Sequence, residues 1–359
     1  MRLCIVFGTR PEIVKLSPVI RALKERELDF FTIHTNQHYS YNMDKVFFEN
    51  LKLSPPDFNL EVGSGTHAEQ TSKALLGIEK ILLLEKPDLV LVQGDTNTTL
   101  SGALASAKLL IPIGHVEAGL RCFERIPEEI NRKVADHLSD FLFAPTKTSE
   151  KNLKREGISD EKIFTTGNTV VDALLKNLKI VDDLDVLRDF GVEKGGFFLL
   201  TLHRQENVDF KPILSEILKG LKLISEEFDY QILFPIHPRT EKMIKLFDLE
   251  KKLKEIRTLR LIKPMGYLGF IKFLSQARLV LTDSGGIQEE ACVLKVPCVT
   301  LRESTERPET LEVGSNVLSG RNSKKILRCT EKMLSKKPHW KNPFGDGRAS
   351  ERILDILCE

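Results

Sequence analysis

Short apolar runs along the chain alternate with segments in which apolar residues recur at the spacing of a helix. After the run at 3–7, Ile13, Leu16, Ile20 and Leu23 lie three or four residues apart. An apolar run without polar alternation is typical of a strand buried on both faces of a parallel sheet. The alternation predicts helices between strands at 3–7, 30–35, 88–93, 112–116, 141–144, 162–166, 197–202, 231–235, 259–262, 279–281 and 297–301, the last of the chain.

The pattern occurs twice, and a charged, polar stretch separates the two occurrences. A chain of 359 residues is too long for one ordinary core, so two domains are expected. We predict an α/β fold of two Rossmann-like doubly wound domains facing each other across a cleft. The predicted parts are a domain at 1–172, a joint at 173–196, a domain at 197–341, and a loop and helix at 342–359 that cross back to the first domain.

Composition narrows the class of protein further. The chain is 41% hydrophobic and 29% charged with a formal net charge of +2, which does not resemble the basic stripe of a nucleic-acid-binding protein. No stretch has the apolar length of a membrane span or the features of a signal peptide. The six cysteines include no C-x-x-C pair, which favours reduced thiols and a cytoplasmic location. No clustered Cys/His spacing or H-E-x-x-H motif occurs, so no metal and no cofactor are predicted.

Charged residues lie where the predicted strands of the first half end. Arg10, Asp95 and Glu117 follow strands, and Glu128 lies in the first turn of a helix. The carboxyl ends of parallel strands share one edge of a sheet, where ligands bind in open α/β domains. Each carboxylate alone is more often a helix cap or part of an ion pair, but three converging on one edge favour acid/base chemistry. Lys15, one helical turn beyond Arg10, is as consistent with a solvated helix face as with function.

A glycine pair follows the strand at 279–281 in the second half. Asp283 and Ser284 end this strand, Gly285 and Gly286 are predicted to form a tight turn, and a helix is predicted from 287 to 294. The free N–H groups and the dipole at a helix start favour an anion, most often a phosphate. The alternative is a strand–turn–helix joint with solvent at the turn. Glu290, one turn into the helix, suits hydroxyl groups such as those of a ribose.

Basic residues also end strands of the second half. His203, His237, Arg302 and Arg307 join the glycine pair in a predicted site for a diphosphate without a metal, since arginine donates bidentate hydrogen bonds to phosphate oxygens. A lone histidine is more often a satisfied core residue. Two histidines at equivalent strand ends make that alternative less attractive.

The motifs taken together resemble one family across nearly the whole chain. The chain resembles the non-hydrolysing UDP-N-acetylglucosamine 2-epimerases, which have the two-domain glycosyltransferase-B architecture. The motifs are FGTRPE at 7–12, GDT at 94–96, HVEAGLR at 115–121, PEEINR at 127–132, GNTVVD at 167–172, HRQEN at 203–207, TDSGGIQEE at 282–290, ERPE at 306–309 and NPFGDG at 342–347.

The resemblance implies an isomerase that inverts C2 of the amino sugar while the sugar is attached to UDP. In the family a base removes the C2 proton as UDP leaves C1, and UDP adds back to the 2-acetamidoglucal after reprotonation from the other face. It implies catalytic roles for Asp95, Glu117, Glu128 and His203, and a homodimer. The implied contacts to substrate and UDP are Arg10, Lys15, His237, Ser284, Gly285, Gly286, Glu290 and Arg307.

Three alternatives stay open at the level of sequence. A hydrolysing epimerase would release N-acetylmannosamine and UDP, a glycosyltransferase would use the same UDP site, and epimerases of diacetamido uronic acid sugars share most of these motifs. The chain departs from the bacterial pattern after Gln37, where an arginine-containing stretch helps bind an activating substrate molecule. Gln37, Gln70 and Arg204 are candidates for such a site here.

Overall fold

Two parallel sheets form the framework of the chain in the computed structural model, which describes residues 1–36, 48–49, 51–123, 125–181 and 187–358. The first sheet has the order β3-β2-β1-β4-β5-β6-β7 and the second the order β10-β9-β8-β11-β12-β13, with every pair parallel. The strands are β1 (Arg2–Phe7), β2 (Asp29–His34), β3 (Phe58–Asn59), β4 (Leu89–Gln93), β5 (Ile113–Val116), β6 (Phe141–Ala144), β7 (Ile163–Thr165), β8 (Phe197–Thr201), β9 (Gln231–Pro235), β10 (Leu259–Ile262), β11 (Leu279–Thr282), β12 (Cys298–Thr300) and β13 (Asn316–Leu318).

Helices occupy the connections between successive parallel strands. The helices are α1 (Arg10–Glu25), α2 (His67–Glu85), α3 (Asn97–Lys108), α4 (Pro127–Leu138), α5 (Lys147–Arg155), α6 (Thr169–Val181), α7 (Gln205–Val208), α8 (Lys211–Glu227), α9 (Pro238–Leu246), α10 (Glu250–Lys254), α11 (Tyr267–Gln276), α12 (Gly285–Val293), α13 (Pro308–Glu312), α14 (Ser323–Leu334) and α15 (Ala349–Cys358). Two short 3₁₀ turns lie at Asp160–Lys162 and Arg188–Phe190. The prediction of two Rossmann-like α/β domains is confirmed.

Alternate side chains of the central strands supply two separate cores, which explains why these strands are apolar throughout. In β8, Phe198 and Leu200 pack with residues of α8 and α14, whereas Phe197 and Leu199 pack with residues of α11 and α12. Strand residues point alternately to opposite faces, so a sheet covered on both faces needs an unbroken apolar run.

The chain divides into two compact units. The first comprises residues 1–176 and 344–359, and the second comprises residues 177–343. Helix α15 returns to the first unit, where it packs on α1 and its first N–H groups donate to the Asp172 carboxylate. The boundaries proposed from the sequence stay a prediction.

Three local predictions were wrong. Arg10, predicted in the loop that follows the first strand, is the first residue of α1, and Gly285 and Gly286 form the first turn of α12 rather than a separate turn. The strand at 297–301 is not the last, because β13 follows it. Three-residue strands and helix starts leave little periodicity to detect, so these limits depend on tertiary pairing.

Two general features of the described residues bear on the class of protein. None of the six cysteines, all of which lie in the described ranges, forms a disulfide bond, and all but Cys358 are buried. Within the described ranges, no helix has both the length and the apolar character needed to cross a membrane.

Candidate active site

The order of strands reverses once in each sheet, between β1 and β4 in the first and between β8 and β11 in the second. Loops from the two strands diverge at such a switch point and leave a ligand-binding crevice at the carboxyl ends. In the first unit these loops carry the start of α1 and Asp95. In the second unit they carry His203 and the start of α12. Arg10, Asp95, His203 and the glycine pair thus lie at the two switch points, whereas Glu117 and His237 follow neighbouring strands.

Glu117 is the most enclosed of the predicted carboxylates. Its side chain is 2% exposed, and its carboxylate accepts hydrogen bonds from Lys15 Nζ at 2.6 and 2.8 Å. Gln93 Nε2 donates to the same carboxylate, and Asn168 Nδ2 lies 3.5 Å from Oε1. The Glu117 backbone has a φ of 70°, an uncommon value for a residue other than glycine and one found at functional sites. Lys15 therefore does not lie on a solvated helix face.

Asp95 is held by a guanidinium. Arg132 of α4 donates to Asp95 Oδ2 through Nε at 3.0 Å and through Nη2 at 2.6 Å, and the Asp95 side chain is 34% exposed. Arg132 Nη1 donates to Glu129 at 2.7 Å, and Asn131 Nδ2 donates to the Asp95 carbonyl. The carboxylate is therefore fixed in orientation while it stays accessible to a ligand.

Glu128 and Arg10 lie at helix starts without the enclosure of Glu117. Glu128 is half-buried in the first turn of α4, and among the described residues no hydrogen bond or ion pair involves its side chain. Arg10 is half-buried at the first position of α1. Within the described residues, the Glu128 carboxylate therefore keeps its oxygens available as acceptors.

Glu12 is a buried carboxylate that the sequence analysis did not single out. It accepts from the backbone N–H groups of Gly8 and Thr9 and from the hydroxyls of Thr9 and Thr96. Burial outweighs these hydrogen bonds and raises the pKa of Glu12 to about 7. Glu12 thereby joins the loop after β1 to the loop after β4, which carries Asp95. The Thr9-x-x-Glu12 spacing of a capping box was the available signal.

Asp283 supports the corresponding loop of the second unit. This fully buried carboxylate accepts from the backbone N–H groups of His203 and Arg204, each at 2.9 Å. The His203 side chain is 39% exposed, with its Nε2 3.8 Å from Asp283 Oδ1. The His203 ring lies 5.6 Å from that of His237, measured between centroids. The structure therefore brings the two predicted histidines together.

His237 is the N-cap of α9 and accepts the backbone N–H of Arg239 through Nδ1, at 3.2 Å. In a neutral ring the proton then lies on Nε2, which becomes the donor toward a ligand.

Helix α12 begins with Gly285 after the N-cap Ser284. The first N–H groups of a helix have no partner within it and favour an anion. A Cβ at Gly285 would lie 2.1 Å from Glu306 Oε1, whereas a Cβ at Gly286 would meet nothing within 4 Å. Gly285 is required for packing, and Gly286 leaves open space in front of the helix.

The predicted arginines of the second unit are paired with buried acids. Arg307 Nε lies 2.6 Å from Glu289 Oε1, and Arg302 Nη1 donates to Glu306 Oε2 at 2.8 Å. Arg204 donates to the other oxygen of Glu306 at 3.2 Å. These guanidiniums are oriented before any ligand binds.

Glu290 is buried in α12 and accepts a hydrogen bond from the Tyr267 hydroxyl at 3.1 Å. Burial and the neighbouring Glu290 carboxylate hold the pKa of Tyr267 well above its ordinary value, so the phenol stays a donor. Glu290 keeps acceptor capacity for a hydroxyl group.

The side chains that hold the predicted residues in place were missed, because such partners depend on strand register; they include Gln93, Arg132, Asn168 and Glu306. No group of three or more His, Cys, Asp or Glu side chains in the described residues is arranged to hold a metal ion.

Of the candidates for an activating site, Gln37 and the stretch after it lie outside the described residues, and Gln70 accepts from Asn97 at 2.9 Å.

Comparison with known proteins gives matches along the whole chain. A model of the family described as UDP-N-acetylglucosamine 2-epimerase matches residues 21–358. A UDP-N-acetylglucosamine 2-epimerase of Methanocaldococcus jannaschii is 58% identical over 361 residues, covering 99% of each chain. A UDP-2,3-diacetamido-2,3-dideoxy-D-glucuronate 2-epimerase of Pseudomonas aeruginosa is 40% identical and covers 100% of each chain.

A solved structure matches equally completely. The crystal structure of Methanocaldococcus jannaschii UDP-GlcNAc 2-epimerase in complex with UDP-GlcNAc and UDP aligns with a TM-score of 0.94 at 57% identity, covering 100% of this chain and 99% of that one. The glycosyltransferase-B type of fold expected from the resemblance is confirmed by this match. With the family model spanning nearly all of the sequence, the chain belongs to the UDP-N-acetylglucosamine 2-epimerase family.

Proposed function

We propose that the chain is a non-hydrolysing UDP-N-acetylglucosamine 2-epimerase, which interconverts UDP-N-acetylglucosamine and UDP-N-acetylmannosamine. The observation that carries the proposal is the 58% identity, over 99% of both chains, with a protein named UDP-N-acetylglucosamine 2-epimerase. The carboxylates of the first unit and the basic residues of the second are the groups that this reaction needs.

The first step is the removal of the C2 proton by a carboxylate base. The electrons of the C2–H bond form a C1–C2 double bond as the C1–O bond breaks. UDP leaves with the electron pair of the C1–O bond. Glu117, Asp95 and Glu128 are the proposed acid/base residues, and Lys15 and Arg132 pair with the first two and orient them. Because both faces of C2 exchange a proton, at least two of the three carboxylates take part.

Stabilisation of the leaving diphosphate supplies much of the driving force, since the C2 proton is only weakly acidic. We assign this role to His203 and His237, to Arg10 and Arg307, and to the N–H groups that begin α12. Donors fixed before the reaction stabilise developing negative charge without reorganising. Ser284, Gly285 and Gly286 form the start of α12, and Asp283 fixes the loop of His203. Glu290 accepts the ribose hydroxyls in this proposal.

Proton NMR of the protein with UDP-N-acetylglucosamine in deuterated water tests the proposal, without added metal or nicotinamide. We expect signals of UDP-N-acetylmannosamine with deuterium at C2. Free N-acetylmannosamine and UDP would identify the hydrolysing reaction instead, and transfer of the sugar to an added acceptor would identify a glycosyltransferase. A Glu117→Gln variant is the matched control for exchange that does not depend on the protein.

A second substrate is favoured by the 40% identity with the Pseudomonas aeruginosa diacetamido-glucuronate epimerase. The same elimination would occur on a sugar with an additional acetamido group and a carboxylate. Parallel assays with both nucleotide sugars decide between them, and we expect the higher kcat/KM on UDP-N-acetylglucosamine because the identity with its named epimerase is greater.

We further propose a homodimer in the cytoplasm. Helix α2 exposes Leu76, Leu83 and Leu84, three apolar side chains on one helix that a partner subunit would cover. The unpaired cysteines support a reducing compartment. Light scattering coupled to size-exclusion chromatography measures the mass directly, and a mass of one chain would contradict the dimer.

Activation by a second substrate molecule is also proposed for this chain. Gln70 is hydrogen-bonded within the first unit, and Arg204 is paired within the second. Strictly hyperbolic kinetics, with no increase in the rate on the mannosamine isomer when the glucosamine isomer is added, would contradict it.

A further inference from the structure

His115 lies in β5 and is fully buried, and both of its ring nitrogens face an acceptor. Nδ1 lies 2.7 Å from Asp136 Oδ1, and Nε2 lies 2.9 Å from the carbonyl oxygen of Gly94. Both distances are those of hydrogen bonds. A buried histidine between two acceptors has unusual consequences for its protonation.

A carbonyl oxygen cannot donate, so the bond to Gly94 requires a proton on Nε2. The bond to Asp136 then requires a second proton, on Nδ1, if that carboxylate is ionised. Burial raises the pKa of Asp136, but His115 and Arg121 outweigh it, so the pKa lies below its ordinary value. Asp136 Oδ2 also accepts from Arg121 Nη2 at 2.7 Å and from the Gly119 N–H at 3.2 Å. Independently of His115, the guanidinium and the N–H group that donate to Oδ2 stabilise the ionised form of this carboxylate.

Charged side chains of both signs lie around the ring. Asp136 of α4 faces His115 directly, and Arg121 joins Asp136 to Glu156, whose oxygens lie 2.8 and 2.6 Å from the guanidinium nitrogens. Asp136 and Glu156 share the Arg121 guanidinium, Lys133 also attracts Glu156, and a positive His115 adds a cation directly beside Asp136. Buried charges are tolerated when they are paired in this way.

The group that His115 holds is the peptide between Gly94 and Asp95. Gly94 has a φ of 76°, so the chain turns there immediately before Asp95. His115 is also two residues before Glu117 in the sequence. The imidazole therefore joins the turn that carries one proposed catalytic carboxylate to the strand that presents another.

We propose that His115 is a positioning residue, an imidazolium that donates to Asp136 and to the Gly94 carbonyl and so fixes Asp95 relative to Glu117. The inference rests on the proposed function for its catalytic consequence, but not for the protonation state. His115 touches no reacting atom and acts through the 94–95 peptide.

A matched pair of amide substitutions separates the two hydrogen bonds. His115→Asn places its amide near the position of Nδ1 and keeps the bond to Asp136, whereas His115→Gln reaches the position of Nε2 and keeps the bond to Gly94. We expect His115→Asn to lower kcat about 10²-fold with little change in KM, and His115→Gln to lower it no more than about 10-fold. Equal losses in the two variants, or an unchanged kcat in His115→Asn, would overturn the positioning role.

Nitrogen-15 NMR of histidine-labelled wild-type protein tests the protonation state without any assay of activity. The His115 signals are identified by their absence from the His115→Gln spectrum, or by sequential assignment if that variant does not fold. Two protonated ring nitrogens at neutral pH are expected. One protonated and one bare nitrogen would overturn the imidazolium. An inactive wild-type protein with a doubly protonated His115 would contradict the proposed function alone.

Discussion

The two switch points have the same topology but opposite assignments of charge. In the first unit, carboxylates lie near the carboxyl ends of the strands and cations hold them, as Lys15 does for Glu117. In the second unit, histidines lie near the carboxyl ends of the strands and buried acids hold the surrounding chain, as Asp283 does for the loop of His203. Glu117 is 2% exposed, whereas His203 is 39% exposed.

The difference shows how one fold supports two tasks. A carboxylate that transfers protons benefits from an environment shielded from water and from a fixed partner, because both determine its pKa. A site for a diphosphate needs N–H donors at the surface, with acids kept behind them as supports. The fold provides the edge of the sheet at which ligands bind, and the residues of the loops determine which chemistry occurs there.

Glu117→Gln is the variant for which the comparison predicts the largest fall in kcat. The amide keeps the shape of the side chain but cannot accept a proton, so kcat is expected to fall about 10²–10⁴-fold. UDP affinity, measured by calorimetry, is expected to stay near that of the wild type because the proposed UDP ligands other than Arg10 lie in the second unit. A variant that retained a tenth of the activity would remove Glu117 from the acid/base residues.

Glu12 provides the second test, because its partners are hydroxyl and N–H groups rather than a cation. Its pKa is raised to about 7, so the native state binds a proton that the unfolded chain releases between about pH 4.5 and 7. Stability therefore falls as pH rises through this interval, by up to about 3 kcal/mol above it. Urea unfolding at pH 5 and pH 8 is expected to show this loss in the wild type but not in Glu12→Gln. An equal loss in both proteins would assign the pH dependence to other groups.

Substitutions of Gly285 and Gly286 test the same comparison in the second unit. Gly285→Ala places a methyl group 2.1 Å from Glu306 Oε1 and displaces that carboxylate from its arginine partners, at a cost of about 1–3 kcal/mol. Gly286→Ala, with nothing within 4 Å, is expected to change stability by less than about 0.5 kcal/mol.

Thermal unfolding gives the stability of both glycine variants, and calorimetry gives their UDP affinity. Weakened UDP binding in a fully stable Gly286→Ala would support a diphosphate in front of α12. Unchanged affinity there would place the diphosphate elsewhere.

Arg132→Lys is the mildest test. Lysine keeps the charge beside Asp95 but loses the pair of bonds through Nε and Nη2, so we expect a fall in kcat of about 10-fold. UDP affinity is the control, since no proposed UDP ligand contacts Arg132. If UDP affinity fell as much as kcat, the separation of tasks between the two units would be wrong.

The sequence predicted the framework because buried parallel strands carry a strong local signal. The apolar runs at 3–7 and 197–202 give the central strands β1 and β8, and the polar residues after them were correctly placed at the sheet edges. Strands β3 and β13, of two and three residues, were missed.

The internal order of the site could not be predicted in the same way. Lys15 and Glu117 are 102 positions apart in the chain, and only the pairing of β1 with β4 and of β4 with β5 brings them together. The supports Gln93, Arg132 and Asp283 likewise depend on register, which no local pattern specifies. The hydrogen bonds of Glu12 to the start of its helix could have been predicted, because its capping-box spacing is visible in the sequence.

Helix α15 has a consequence for the order in which the protein is made. Its first N–H groups donate to Asp172, yet the chain between them builds the entire second unit, residues 177–343. During translation, the ribosome delivers the partner of Asp172 last, after the second unit has emerged. Until residues 349–358 have been made, the first unit therefore lacks these donors to Asp172, and the side of α1 on which α15 packs stays uncovered. The unit that begins first is thus the unit that finishes last.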